Sequence, residues 1–198
     1  MNASRRTAGF SLIELMVAIG VFAILTALAV PSLSDFMKRN MVSNQTNDFL
    51  GAIRFARSTA VTRSTIVSIC PSTTSSTTTP LCAATNTFNT GWLIYTSTKA
   101  GEAYKPTDEL LRVAQNVPGA SIQGATTVPV VTFDARGSST YGTLSFFICS
   151  KAADDTVGQS ALRYSGRRID LQSGGRAGAT PLQTSSSKTT GQGYCTAT

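Results

Sequence analysis

The hydrophobic pattern divides the chain into three stretches with different periods. From Phe10 to Val30 there are 21 residues carrying a single charge, Glu14. From Ser32 to about Arg63 the apolar positions Leu33, Met37 and Met41, then Phe49, Ile53, Ala56 and Ala60, recur every three or four residues. Lys38, Arg39, Arg54, Arg57 and Arg63 lie off that stripe. Such spacing puts the apolar side chains on one face of a helix. The polar run Ser43–Asp48 (SNQTND) is its weakest part and is expected to bend or fray.

After Arg63 the period falls to two and β-branched residues dominate, the mark of half-buried strands. Strands are predicted at Thr65–Cys70, Gly91–Ser97, Glu109–Val117, Val128–Asp134 and Thr143–Cys149. Arg163–Gln172 is predicted as a last strand or hairpin. Pro71–Pro80 reads as a Ser/Thr loop, and Val117-Pro118-Gly119 as a turn. One helix followed by many short strands predicts an α+β fold, an antiparallel sheet wrapped on the apolar face of the helix.

The first stretch is long enough to cross a bilayer. At about 1.5 Å per residue, its helix covers a hydrocarbon core of about 30 Å. Arg5 and Arg6 precede it and should hold its N-terminal end in the cytoplasm, sending everything after Pro31 across the membrane. A plain single-span anchor fits this pattern. So does a secretory signal ending at Ala27-Leu28-Ala29, although the run is longer than an ordinary signal core. Neither explains Glu14, because a carboxylate inside lipid costs a few kcal/mol and normally has a partner.

Composition narrows the chemistry. The chain has no histidine and only ten carboxylates among 198 residues, which excludes a Ser/His/Asp relay and weakens any zinc site. No enzyme, cofactor or metal is expected. The formal charge is +7, or +5 without Arg5 and Arg6. The 168 residues after Val30 suffice for one globular head. Cys70, Cys82, Cys149 and Cys195 allow three pairings in an exported head. The favoured set is Cys70–Cys82, closing the Ser/Thr loop, and Cys149–Cys195, holding a C-terminal segment poor in apolar residues. Loop entropy gives these links about 3 and about 4 kcal/mol.

Gly9-Phe10-Ser11-Leu12-Ile13-Glu14-Leu15 resembles the class III signal of type IV prepilins and pseudopilins. The resemblance implies that a prepilin peptidase cuts between Gly9 and Phe10 and that the new amine of Phe10 is methylated. It makes residues 1–9 a leader, 10–31 a transmembrane helix and 32–198 a head (32–63 helical, 64–198 β-rich). Glu14 becomes the fifth mature residue, there to neutralise the Phe10 amine of a neighbouring pilin as helices stack. Pro31 falls where pilin helices often carry a helix-breaking proline; read alone, it ends the membrane helix.

The order of the head motifs resembles the FimT/GspH group of minor pilins and pseudopilins. These are the helical Ala56-Arg57-Ser58, a cysteine strand, the Gly91-Trp92 strand, the Phe133–Gly137 turn (FDARG) and a late cysteine strand, covering the chain to roughly residue 178. The resemblance implies a single-pass protein of the bacterial inner membrane with its head in the periplasm. It also implies assembly with major and minor pilins into a pilus, near its tip, or into a type II secretion pseudopilus.

Some FimT proteins bind DNA through a C-terminal Gly-Arg-x-Arg motif. Here Gly175-Arg176-Ala177-Gly178 keeps the glycine and first arginine, with Gly178 in place of the second. Arg163, Arg167, Arg168 and Arg176, opposed by Asp170 and followed by Lys188, are the candidates for contact with double-stranded DNA. The competing reading makes them a solvated face that keeps the head soluble.

Overall fold

In the computed structural model the described residues are 10–124 and 129–196. Contacts divide the chain into two units, Met1–Met37 and Lys38–Thr198. One helix, α1 (Leu12–Arg63), provides most of the first unit and the opening segment of the second. Its start is set by Ser11, whose hydroxyl accepts a hydrogen bond from the Glu14 backbone N–H at 3.3 Å. That is the capping arrangement that satisfies a free N–H of the first turn. The leader, including the expected cut at Gly9, lies outside the described residues.

From Leu12 to Leu25 the helix is apolar on every side. Leu12, Ile13, Leu15, Met16, Val17, Ile19, Val21, Phe22, Ile24 and Leu25 are all exposed. The hydroxyl of Thr26 folds back on the carbonyls of Phe22 and Ala23, at 3.0 and 2.9 Å, so it needs no water. A helix without a polar face is built for an apolar solvent. The reading of Pro31 as the end of the helix is corrected: α1 remains helical through that position.

In the second unit the same helix buries one stripe. Phe49, Ile53, Ala56 and Ala60 are buried as expected, joined by Val42, Leu50 and Ala52, whereas Leu33 and Met37 of the first unit are exposed. The Ser43–Asp48 run does not bend or fray. Thr46 is buried with its hydroxyl donating to the Val42 carbonyl at 2.6 Å, so local bonding and burial override the weak propensity of these residues.

The single expected sheet is two, both antiparallel. The first has the order β3-β2-β1-β5, built from β1 (Ile66–Pro71), β2 (Trp92–Ser97), β3 (Leu110–Ala114) and β5 (Val131–Phe133). The second has the order β4-β6-β7-β8, built from β4 (Ala120–Gly124), β6 (Leu144–Ser150), β7 (Arg167–Leu171) and β8 (Ala177–Pro181). Expected strand Val128–Asp134 contracts to three residues, and its start at Val128 lies outside the described residues. Strands β4 and β8 were not expected, because ASIQG and AGATP lack the β-branched pattern; cross-strand pairing alone recruits them.

Alternation along the strands separates two clusters. Trp92 and Ile94 join Ile122, Phe146, Ile148, Ile169 and Leu171 in the main core with the α1 stripe. Leu93 and Tyr95 point the other way, into a smaller cluster around Cys70. Burial raises the Tyr95 phenol above its ordinary pKa, and its hydroxyl donates to the Glu102 carbonyl at 2.6 Å.

The disulfides are Cys70–Cys82 and Cys149–Cys195, with Cα separations of 5.6 and 6.1 Å. The second ties β6 to Cys195, two residues beyond a short helix, α2 (Lys188–Gly193), which the Ser/Thr/Gly composition had concealed. Gly191 of α2 packs so closely that a Cβ there would lie 2.7 Å from the Ser160 carbonyl oxygen.

Two measurements check this packing. Phe49→Ala is expected to lose about 3–5 kcal/mol of head stability in urea titrations, because the site is enclosed by aromatic rings and cannot collapse. Replacing Cys149 and Cys195 together by serine is expected to cost about 4 kcal/mol, the loop-entropy value for their separation. The same pair of changes should open the amides of α2 first in hydrogen exchange.

Candidate functional site

The first candidate is the start of α1. Glu14 is exposed among apolar neighbours, and among the described residues its carboxylate has no cationic partner. Phe10, the residue after the expected cut, is 78% exposed.

The C-terminal cations do not form one surface. In β7 the side chains alternate, so Arg167 shares a face with buried Ile169 and Leu171 while Arg168 lies on the opposite face with Asp170. Arg168 Nε pairs with Asp170 Oδ2 at 2.9 Å, and Lys188 Nζ with Asp155 Oδ1 at 2.7 Å. Arg163 and Arg167 line one cleft together with Arg39, whose Nε–H donates to the Arg163 carbonyl. Beside it, Lys38 Nζ sits 4.7 Å from the centre of the Tyr164 ring. Arg176 lies elsewhere. Strand alternation and local carboxylates thus distribute the candidate residues over different surfaces.

Arg176 instead joins three arginines that sequence reasoning left out. Arg54 and Arg57 of α1, Arg136 of the turn after β5, and Arg176 just before β8 line an open cleft of about 630 Å³. Ser58, Val61, Thr62, Gly175 and Ala177 complete it, with no carboxylate in the lining. Among the described residues these four arginines form no ion pair. Arg54, Arg136 and Arg176 are exposed and Arg57 is half-buried.

Two tight turns make the cleft. Asp134 caps the first: its Oδ1 accepts from the backbone N–H groups of Arg136 and Ser138, at 2.9 and 2.8 Å. Arg57 Nε–H donates to the Gly137 carbonyl at 3.0 Å, fastening that turn to α1. The second turn, between β7 and β8, meets the first through the Ser139 N–H, which donates to the Ser173 carbonyl at 2.8 Å. Gly175 sits at φ +76°, where a Cβ would fall 1.8 Å from the Gly137 oxygen. Only glycine allows that approach. The spacing Arg54, Arg57, Ser58, Val61 along one helical face was the available signal, since positions i, i+3, i+4 and i+7 share a face.

A long capped helix beneath two antiparallel sheets, with an apolar N-terminal span, defines a pilin-type structural subunit. The structure is similar to the type IV minor pilin FimU of Pseudomonas aeruginosa, at a TM-score of 0.51 and 20% identity over 72% of this chain and 90% of that one. A second crystal form of FimU gives 0.49 and 19% identity, over 70% of this chain and 92% of that one. Residues 4–30 match the prokaryotic N-terminal methylation motif, and residues 45–175 match the family described as Type II transport protein GspH. Comparison with curated protein sequences finds no match. The chain belongs to the GspH family and is a minor pilin or pseudopilin of the GspH/FimT type. Its family and fold are those of pilin structural proteins rather than enzymes. The methylation motif implies processing by a prepilin peptidase and pilin partners, and with the apolar helix fits inner-membrane anchoring in a pilus.

Gly175→Ala is expected to destabilise the head by more than 1 kcal/mol, because the change adds both strain at positive φ and a backbone clash. Thermal melts of this variant beside Gly174→Ala, whose added Cβ meets nothing, make the comparison.

Proposed function

We propose that the chain is a minor pilin that enters a type IV pilus by its N-terminal helix and supports assembly of that pilus. The observation that carries this reading is Glu14, a lone carboxylate on the exposed, all-round apolar start of α1. In lipid that charge needs a cation. Cleavage after Gly9 would create one, the Phe10 amine of a neighbouring subunit, and helix stacking would bring the two together. The head then lies in the periplasm before assembly and near the pilus tip afterwards. The alternative, a GspH-type subunit of a type II secretion pseudopilus, has the same design and is supported by the family match over residues 45–175.

Support of DNA uptake is the finer part of the reading. It is favoured by the formal charge of +7 and by the exposed arginines of the C-terminal region. The pairing of Arg168 and Lys188, and the split of Arg163 and Arg167 from Arg176, limit it to non-specific phosphate contact.

N-terminal mass analysis of the mature protein is expected to give a start at methylated Phe10; a start at Val30 ends the pilin reading. Glu14→Ala is expected to lower the amount recovered in sheared filaments by about tenfold or more, since an acid–amine pair in lipid is worth kilocalories. Equal recovery of the variant removes the role of Glu14. Duplex DNA should be retarded by the full chain at low salt, less as salt rises, and not by the Arg167→Ala, Arg168→Ala, Arg176→Ala triple variant.

A further inference from the structure

We infer that the cleft between Arg54, Arg57, Arg136 and Arg176 is a docking site for an acidic segment of a different protein, one carrying two or more carboxylates within a few residues. The inference goes beyond the assembly role of α1 and holds in either a pilus or a pseudopilus.

The charge arrangement comes first. Four guanidinium groups converge on one open cleft whose lining has no acid. Like charges gathered this way repel, and removing an arginine from an exposed rim would ordinarily relieve the fold. Three of the four are exposed and cover no core, so their gathering serves no packing need within the chain. The walls are nonetheless fixed, by the Arg57–Gly137 and Ser139–Ser173 hydrogen bonds and by the close approach at Gly175. A rigid, uncompensated, cationic recess is matched by an anion, and arginine forks match carboxylates in pairs.

The shape then chooses among anions. The recess holds about 630 Å³ and combines its charges with apolar Val61 and Ala177. Val61 is 47% exposed, ready to meet the methylenes of a glutamate side chain. A free phosphate would leave that apolar surface bare. A duplex would present its phosphates on a convex cylinder, reaching Arg54, Arg136 and Arg176 but not half-buried Arg57.

The partner is not a second copy of this chain. Of its ten carboxylates, Glu102, Glu109, Asp155 and Asp170 hold cations and Asp134 and Asp108 cap turns. Glu14 belongs to the apolar span. Asp108-Glu109 and Asp154-Asp155 are the adjacent acids in the sequence, and each pair has one member held by a cation, Glu109 by Arg63 and Asp155 by Lys188. Asp35 and Asp48 stand apart along α1, so no two neighbouring acids are both left without a cation or a backbone donor to fill the recess.

The test uses the full chain in detergent micelles and the fluorescence anisotropy of a fluorescein-labelled hexaglutamate peptide. Arg54→Gln with Arg136→Gln removes two rim charges without touching Arg57 or the residues assigned to DNA contact. The expected result is hexaglutamate binding that weakens about tenfold or more in this double variant. It should be unchanged in Arg168→Gln with Lys188→Gln, and inorganic phosphate should not displace the peptide. Failure of the parent chain to bind hexaglutamate, or equal binding by the Arg54/Arg136 variant of unchanged ellipticity, overturns the inference. Displacement by phosphate reassigns the recess to a small anion and overturns it too. So does displacement by duplex whose own binding falls in the same double variant, which assigns the recess to nucleic acid.

Discussion

The head depends on Phe49. Its ring lies 5.3 Å from Trp92 of the first sheet, 5.0 Å from Phe146 of the second and 5.2 Å from Phe88 of the connection before β2. Phe88 and Phe146 are themselves 5.6 Å apart. These tilted and edge-on contacts are the arrangements aromatic quadrupoles prefer, worth about 0.5–1.5 kcal/mol per pair beyond area burial. One helical side chain thus meets both sheets, and neither sheet could seal its inner face without it.

That constraint also fixes the cationic recess. Burying Phe49, Ile53, Ala56 and Ala60 rotates α1 so that Arg54, Arg57, Ser58 and Val61 border the open side. The turn after β5 then has to pass over Val61, where a Cβ on Gly137 would fall 2.7 Å from Val61 Cγ2. The β7–β8 turn closes on the first because Leu171 and Ile169 are pulled into the same core. Arginines distant in sequence therefore meet because of where the apolar residues must go. The glycines at 137 and 175 let the backbones approach, and the arginines decorate the result.

Much of this was legible in the chain, and what was not has a physical reason. The amphipathic stripe, the cysteine pairing and six of the eight strands follow from period, branching and compartment, which act locally. Strands β4 and β8 escaped because their residues have no intrinsic preference for extended pairing; they become strands only beside β6 and β7. The division into two sheets escaped because alternation tells which residues face inward, not which sheet they belong to. Among site residues, Glu14 stands out in sequence since a charge in an apolar run is anomalous anywhere. Arg54, Arg57 and Arg136 do not, since isolated arginines on a polar face look alike until tertiary folding gathers them. The same folding scattered the C-terminal arginines that sequence proximity had grouped.

The two ends of α1 illustrate how one secondary structure can satisfy two different solvents. Around Phe49 the helix needs one apolar stripe, and the facing positions are free to carry charge. From Leu12 to Leu25 it carries apolar residues all round, and two polar groups there and just beyond are answered locally: Ser11 caps the Glu14 amide, and Thr26 bonds back to its own helix. Among the described residues the Glu14 carboxylate has no ion pair to answer it. A local bond can quiet a hydroxyl or an amide, but a full charge in lipid demands a counter-charge. On the reading proposed above, that requirement is met from outside the chain by the freed amine of another subunit, so that helix stacking and charge neutralisation are one event.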